Sequence, residues 1–170
     1  ADLETRDSFD ETPLITCGGL EYAMLNNAKY LLQAGADVQA ANKFGKTALM
    51  SAVYSKNIEL IKTLLKAGAP VDQKDNEGGT ALLTMIGMGN FDEQPKIAVM
   101  KILLDAGANI NETNNAGNSV LHESLFAGDS EMRKFFVSKN VDSSIVNKKG
   151  KTALDQAIDN DNLTAAKTLL

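Results

Sequence analysis

The single histidine, His122, stands beside Glu123, and an imidazole next to a carboxylate is a pair from which general acid–base chemistry could be built. Adjacent residues on a helix point to different sides, so the two would not converge on one substrate atom. No cysteine, aspartate or second histidine lies at metal-motif spacing from His122, and it reads as a structural residue. Cys17, the single cysteine, cannot close an intramolecular disulfide, and no cationic neighbour in sequence lowers its pKa; it reads as an inert packing group. Gly18-Gly19 and Gly78-Gly79 lack the Lys-Ser or Lys-Thr of a phosphate loop. Asp159-Asn160-Asp161-Asn162 lacks the alternation, central glycine and closing glutamate of a calcium loop. No catalytic residue, metal ligand or cofactor is therefore expected, and the chain reads as a non-enzyme.

Such residues need elements to hold them, and composition limits what those elements are. With 170 residues, 44% hydrophobic and 23% charged, the chain suits one soluble domain with a substantial core. Aromatic residues make up 5% and tryptophan is absent, so the core must be thin layers of aliphatic side chains. Every apolar stretch is interrupted well before the roughly 18–20 residues that a membrane-spanning helix needs. A net charge of -5 opposes both nucleic-acid phosphates and anionic lipid, so neither is expected as a partner. The Ala1-Asp2 start leaves a processed product and a chain trimmed for expression both open. Export, for example to the periplasm, is the expectation, with a cytoplasmic protein as the alternative.

An internal repeat organises the sequence. Thr12-Pro13-Leu14 returns as Thr47-Ala48-Leu49, Thr80-Ala81-Leu82, Ser119-Val120-Leu121 and Thr152-Ala153-Leu154, at spacings of 35, 33, 39 and 33. A second motif keeps the same beat: Leu31-Leu32 before Gly35-Ala36, Leu64-Leu65 before Gly68-Ala69, and Leu103-Leu104 before Gly107-Ala108. Within a unit, Leu49, Ala52 and Val53, and then Ile58, Leu60, Ile61, Leu64 and Leu65, describe two short amphipathic helices, the second closed by Gly68. Neither helix can bury its apolar face alone, and stacking of units supplies the core. The polar run from Asp72 to Gly78 reads as a hairpin loop turning at Gly78. Extra residues in the third unit fall at Asn90 to Lys96, with Pro95 suited to a helix start.

This pattern resembles the ankyrin repeat, through the Gly-x-Thr-Ala-Leu opening at Gly45, Gly78 and Gly150 and the Leu-Leu-x-x-Gly-Ala closing. The resemblance implies an all-α solenoid of about five helix-turn-helix repeats with β-hairpin fingers, a single domain over residues 1–170. The repeats would span about 7–41, 42–74, 75–113, 114–146 and 147–170, the first and last as caps. Pro13 is the one proline in the opening motif and His122 its one histidine, and alanine or valine in place of proline should weaken helix starts without changing the fold. The resemblance also implies that His122 bonds within the hairpin and neighbouring loops, and that Cys17 replaces a small buried alanine.

In that family the usual function is to bind another protein through fingertips and inner helices. Aligned on the glycines, the fingertips are Ser8 and Phe9, Lys43 and Phe44, Asn76 and Glu77, Asn115 and Ala116, and Lys148 and Lys149; Tyr54, Met88 and Phe126 fall on the exposed side of inner helices. Phe9, Phe44, Tyr54 and Phe126 are aromatic hot-spot candidates in a chain poor in aromatics, with packing between repeats as the alternative. Lys43, Lys46, Lys148, Lys149 and Lys151 would meet an acidic partner patch, or merely keep the finger edges soluble. The bare architecture is similar to small, free-standing bacterial ankyrin proteins that occlude an enzyme's active site. The expectation is thus a monomeric inhibitor or immunity protein. The alternatives are a cytoplasmic scaffold and the recruitment fragment of a larger effector.

Overall fold

In a computed structural model, residues 2–19, 24–86, 93–126, 130–139 and 141–170 are described, except for the side chains of residues 93, 94, 126 and 130. Among the described residues, ten helices follow one another in pairs: α1 (Pro13–Gly19) and α2 (Leu25–Gln33), α3 (Ala48–Tyr54) and α4 (Ile58–Lys66), α5 (Ala81–Ile86) and α6 (Glu93–Asp105), α7 (Val120–Phe126) and α8 (Ser130–Ser138), α9 (Ala153–Asp159) and α10 (Leu163–Leu169). The first helix of each pair packs on the first of the next, α1 on α3, α3 on α5, α5 on α7 and α7 on α9; α2 lies against α4 and α8 against α10. This is the all-α solenoid expected from the repeat.

Most of these helices are too short to be stable in isolation, so caps and packing must hold them. Thr47 and Thr152 are N-caps whose side chains accept from the backbone N–H of Met50 and Asp155, and Asp155 returns a bond to the Thr152 N–H as a capping box. Asn57 and Asn162 cap α4 and α10 in the same way, through the N–H groups of Leu60 and Ala165. The Ala48 and Ala153 that replace the opening proline therefore leave their helix starts capped. Gly68 closes α4 at φ +88, with the Ala69 N–H bonded back to the Leu64 carbonyl at 3.0 Å.

The core is one continuous aliphatic cluster that includes Leu49, Leu60, Leu64, Leu82, Leu103 and Leu121, together with the fully buried ring of Phe136. Cys17 is part of this cluster, and burial pushes its thiol pKa up, which suits the packing role. Two expectations change. The fingers are not extended hairpins: among the described residues the one β-bridge joins Ala41 and Thr47. The third-unit insertion partly joins a helix, because α6 starts at Glu93 with Pro95 in its first turn, where a missing N–H costs nothing. Lys96, at the end of the insertion, is buried; Asn90, Phe91 and Asp92 lie outside the described residues.

Candidate protein-binding surface

The fingers are built by one device used five times. The side-chain oxygens of Asp7, Asn42, Asp75, Asn114 and Asn147 each accept from backbone N–H groups two and four residues on, for example Phe44 at 2.9 Å and Lys46 at 3.0 Å on Asn42 Oδ1. The backbone closes each turn as well, Asn42 N–H donating to the Lys46 carbonyl at 3.0 Å and Asp75 N–H to Gly79 at 2.9 Å. Gly78, at φ +77, completes its turn, and a Cβ there would come within 2.6 Å of the Asn115 backbone. Sequence reasoning found the glycine of the last four turns, where the first has Asp10 at φ 62, but missed the Asp or Asn three residues before it, a signal that recurs with the same period.

Fingers are also tied to one another. The N–H groups of Lys43, Asn76, Asn115 and Lys148 donate to the carbonyls of Phe9, Phe44, Glu77 and Ala116, so all five tips form one ribbon. Asn76 and Asn115, expected to meet a partner, direct their side-chain amides to the carbonyls of Lys43 and Asn76, at 2.9 and 2.8 Å. They are exposed, yet their amide donors hold the ribbon together.

Three of the predicted residues converge on the first two tips. The Lys43 ammonium sits 4.5 Å from the centre of the Phe9 ring and 5.3 Å from that of Phe44, and donates to the Ser8 carbonyl at 3.2 Å. Both rings stay about half exposed, at 53% and 50%. Tyr54, at the end of α3, is 62% exposed. Beneath the tips, Gly19, Lys46, Met50, Ser51, Tyr54 and Thr84 enclose a cavity of about 170 Å³. A second cavity, also about 170 Å³, shares Lys46 and Thr84 with the first and is bounded by Asp75, Glu77 and Glu123. Through these shared residues the two adjoin one another and outline a groove along the inner helices.

At the far tip Lys148 and Lys149 are exposed. Lys151 is not a free cation, as its ammonium pairs with Asp159 at 3.0 Å, a hydrogen bond that also raises its pKa. Met88 and the Phe126 side chain lie outside the described residues. His122 is fully buried and outside the groove's chemistry: its Nδ1 accepts from the Ser119 N–H at 3.2 Å and lies 2.9 Å from the Ser119 hydroxyl, and its Nε2 donates to the Lys151 carbonyl at 3.0 Å. That pattern assigns the neutral Nε2–H tautomer and links the fourth opening motif to the fifth. Glu123 Oε1 accepts from the amides of Asn114 and Asn118 at 2.8 and 2.9 Å. Neighbours in sequence, the two have separate structural partners. Among the described residues no group of three metal-ligating side chains comes together, and no helix is long and apolar enough to cross a membrane.

The family model described as ankyrin repeats matches in three copies, over residues 1–75, 20–93 and 91–170. The chain belongs to the ankyrin-repeat family. A comparison with curated proteins finds no match. Ankyrin repeats are general protein–protein interaction modules, and the family is typically a binding rather than a catalytic one.

Proposed function

We propose that this ankyrin array binds a partner protein through its fingertips and groove, and that binding inhibits an enzyme by covering its active site, as an immunity protein does. The observation that carries the proposal is the exposed Phe9–Lys43–Phe44 cluster. It places two half-exposed rings and a cation on adjacent tips, on a turn scaffold already fixed by backbone hydrogen bonds. Aromatic anchors on a preorganised surface lose little conformational freedom on binding, and such residues dominate interface energetics. Lys148 and Lys149 at the last tip suit acidic groups on the same partner.

Affinity capture from the native host, comparing wild type with Phe44→Ala, tests the reading. Phe44→Ala should weaken retention of one specific partner by about thirtyfold, as loss of an interface anchor does. Adding wild-type protein should then suppress that partner's catalytic activity. Equal capture by both proteins would place the interface elsewhere. Retention without any effect on the partner's activity would favour the scaffold or recruitment role instead.

A further inference from the structure

The groove beneath the fingers is polarised along its length. Its first cavity is walled by Met50, Tyr54 and the bare Gly19 backbone, with the Ser51 and Thr84 hydroxyls at its sides and Lys46 at the boundary it shares with the second. The second carries three carboxylates, from Asp75, Glu77 and Glu123, against the single ammonium of Lys46. Fold-internal bonds engage one oxygen each of Asp75 and Glu123: Asp75 Oδ1 takes the N–H groups of Glu77 and Gly79, and Glu123 Oε1 takes two asparagine amides. The Glu77 carboxylate is exposed and has no protein partner among the described residues, and Lys46 forms no ion pair with any of the three. The cavity is thus a net negative site, three carboxylates against one ammonium, that adjoins a more apolar one. Partly enclosed walls of low dielectric raise the attraction such a site exerts on a cation.

From this geometry we infer the chemistry of the occupant. The groove takes an extended segment of the partner protein that presents an apolar side chain to the Met50–Tyr54 cavity and an arginine or lysine to the Asp75–Glu77–Glu123 cavity. Successive inner helices stand about 10 Å apart, and extended chain advances about 3.3 Å per residue, so the two side chains lie about three residues apart. The inference rests on the proposed binding face and adds a sign to it: the segment in the groove is basic, although the neighbouring fingertip carries Lys43. Lys46 then opposes the bound cation. Removing Lys46 would strengthen binding, whereas an acidic segment in the groove would lose affinity from the same change.

The test uses the whole chain, immobilised, and random dodecapeptides displayed on phage, followed by fluorescence anisotropy of the enriched peptides made synthetically. The expected peptides carry an apolar residue and an arginine or lysine about three positions apart, and they bind more weakly at high salt. Tyr54→Ala should weaken them by about tenfold and Glu77→Gln by about threefold, while Lys46→Ala tightens them by about twofold. All three side chains are exposed, and circular dichroism checks that each variant is folded. Peptides without a basic residue, or weakened by Lys46→Ala and indifferent to Glu77→Gln, overturn the basic-segment assignment while leaving the binding face intact, provided Tyr54→Ala still weakens them. No enrichment, or enrichment indifferent to Tyr54→Ala, overturns the groove as a peptide site. If Phe44→Ala also leaves partner capture unchanged, the proposed face itself falls.

Discussion

His122 shows how one residue's chemistry is fixed by what surrounds it. Its ring is fully buried, and each nitrogen has a backbone partner, one within its own turn and one on the following finger. A buried polar group stripped of its partner carries its full desolvation cost. His122→Ala would leave the Ser119 N–H unpaired, strip the Lys151 carbonyl of one of its two donors while the Asn147 N–H stays, and open a cavity where the ring was. It should cost about 2–4 kcal/mol in urea unfolding, and a loss below about 0.5 kcal/mol would refute the linking role. The sequence made the structural reading legible, because no second ligand or base stood near. It could not supply the Lys151 carbonyl, which lies far along the chain.

At the scale of elements, stacking tolerance is set by how closely neighbouring helices approach. A Cβ on Gly18 would lie 2.6 Å from Ser51 Cβ and 2.8 Å from the Ala48 carbonyl, both on α3, whereas one on Gly19 meets nothing within 4 Å. Gly18→Ala should therefore destabilise by about 1–3 kcal/mol through forced separation of α1 and α3. Gly19→Ala should be neutral or stabilising by about 0.5–1 kcal/mol through lost chain entropy. Equal melting temperatures for the two variants would contradict this. Adjacent units are also latched at their loops, where Lys74 bonds Glu112 at 2.8 Å and the Thr113 carbonyl at 2.9 Å. The hydrogen bond from Lys74 holds the Glu112 carboxyl below its usual pKa. A carboxyl with a lowered folded pKa stabilises the fold above its unfolded pKa, and that contribution disappears as pH falls through the folded value. The pair is partly exposed and screened, so wild type should exceed Glu112→Gln by under about 1 kcal/mol at pH 7, and the difference should vanish in acid. A gap that persists unchanged at pH 2 would place its origin elsewhere.

For the whole molecule, stability in a linear stack depends on neighbours on both sides. Val53, Ile86 and Ile158 hold corresponding positions in α3, α5 and α9; the first two are fully buried and Ile158 is 62% exposed. Leu163 and Leu170 are exposed in the same region, at 65% and 91%. In native-state hydrogen exchange, amides of α9 and α10 should open first, with protection about tenfold or more below that of α3 and α5. Uniform protection across the array would show that it unfolds as one cooperative unit.

By itself the sequence determined the solenoid, because a period of about 33 residues carrying two amphipathic helices per unit has no way to bury its apolar faces except by stacking. It also placed Phe9, Lys43, Phe44 and Tyr54 on exposed positions, since repeat alignment fixes which side of a unit each position faces. The tertiary structure alone decided which side chains are free to act. Asn76 and Asn115 are exposed yet tied to neighbouring fingers, Lys151 is paired with Asp159, and Lys96 is buried. The groove that runs from Gly19 and Tyr54 to Asp75, Glu77 and Glu123 likewise draws on four consecutive units at once. A repeat pattern specifies each unit's own faces, but contacts between units depend on distances across the stack, which only packing sets.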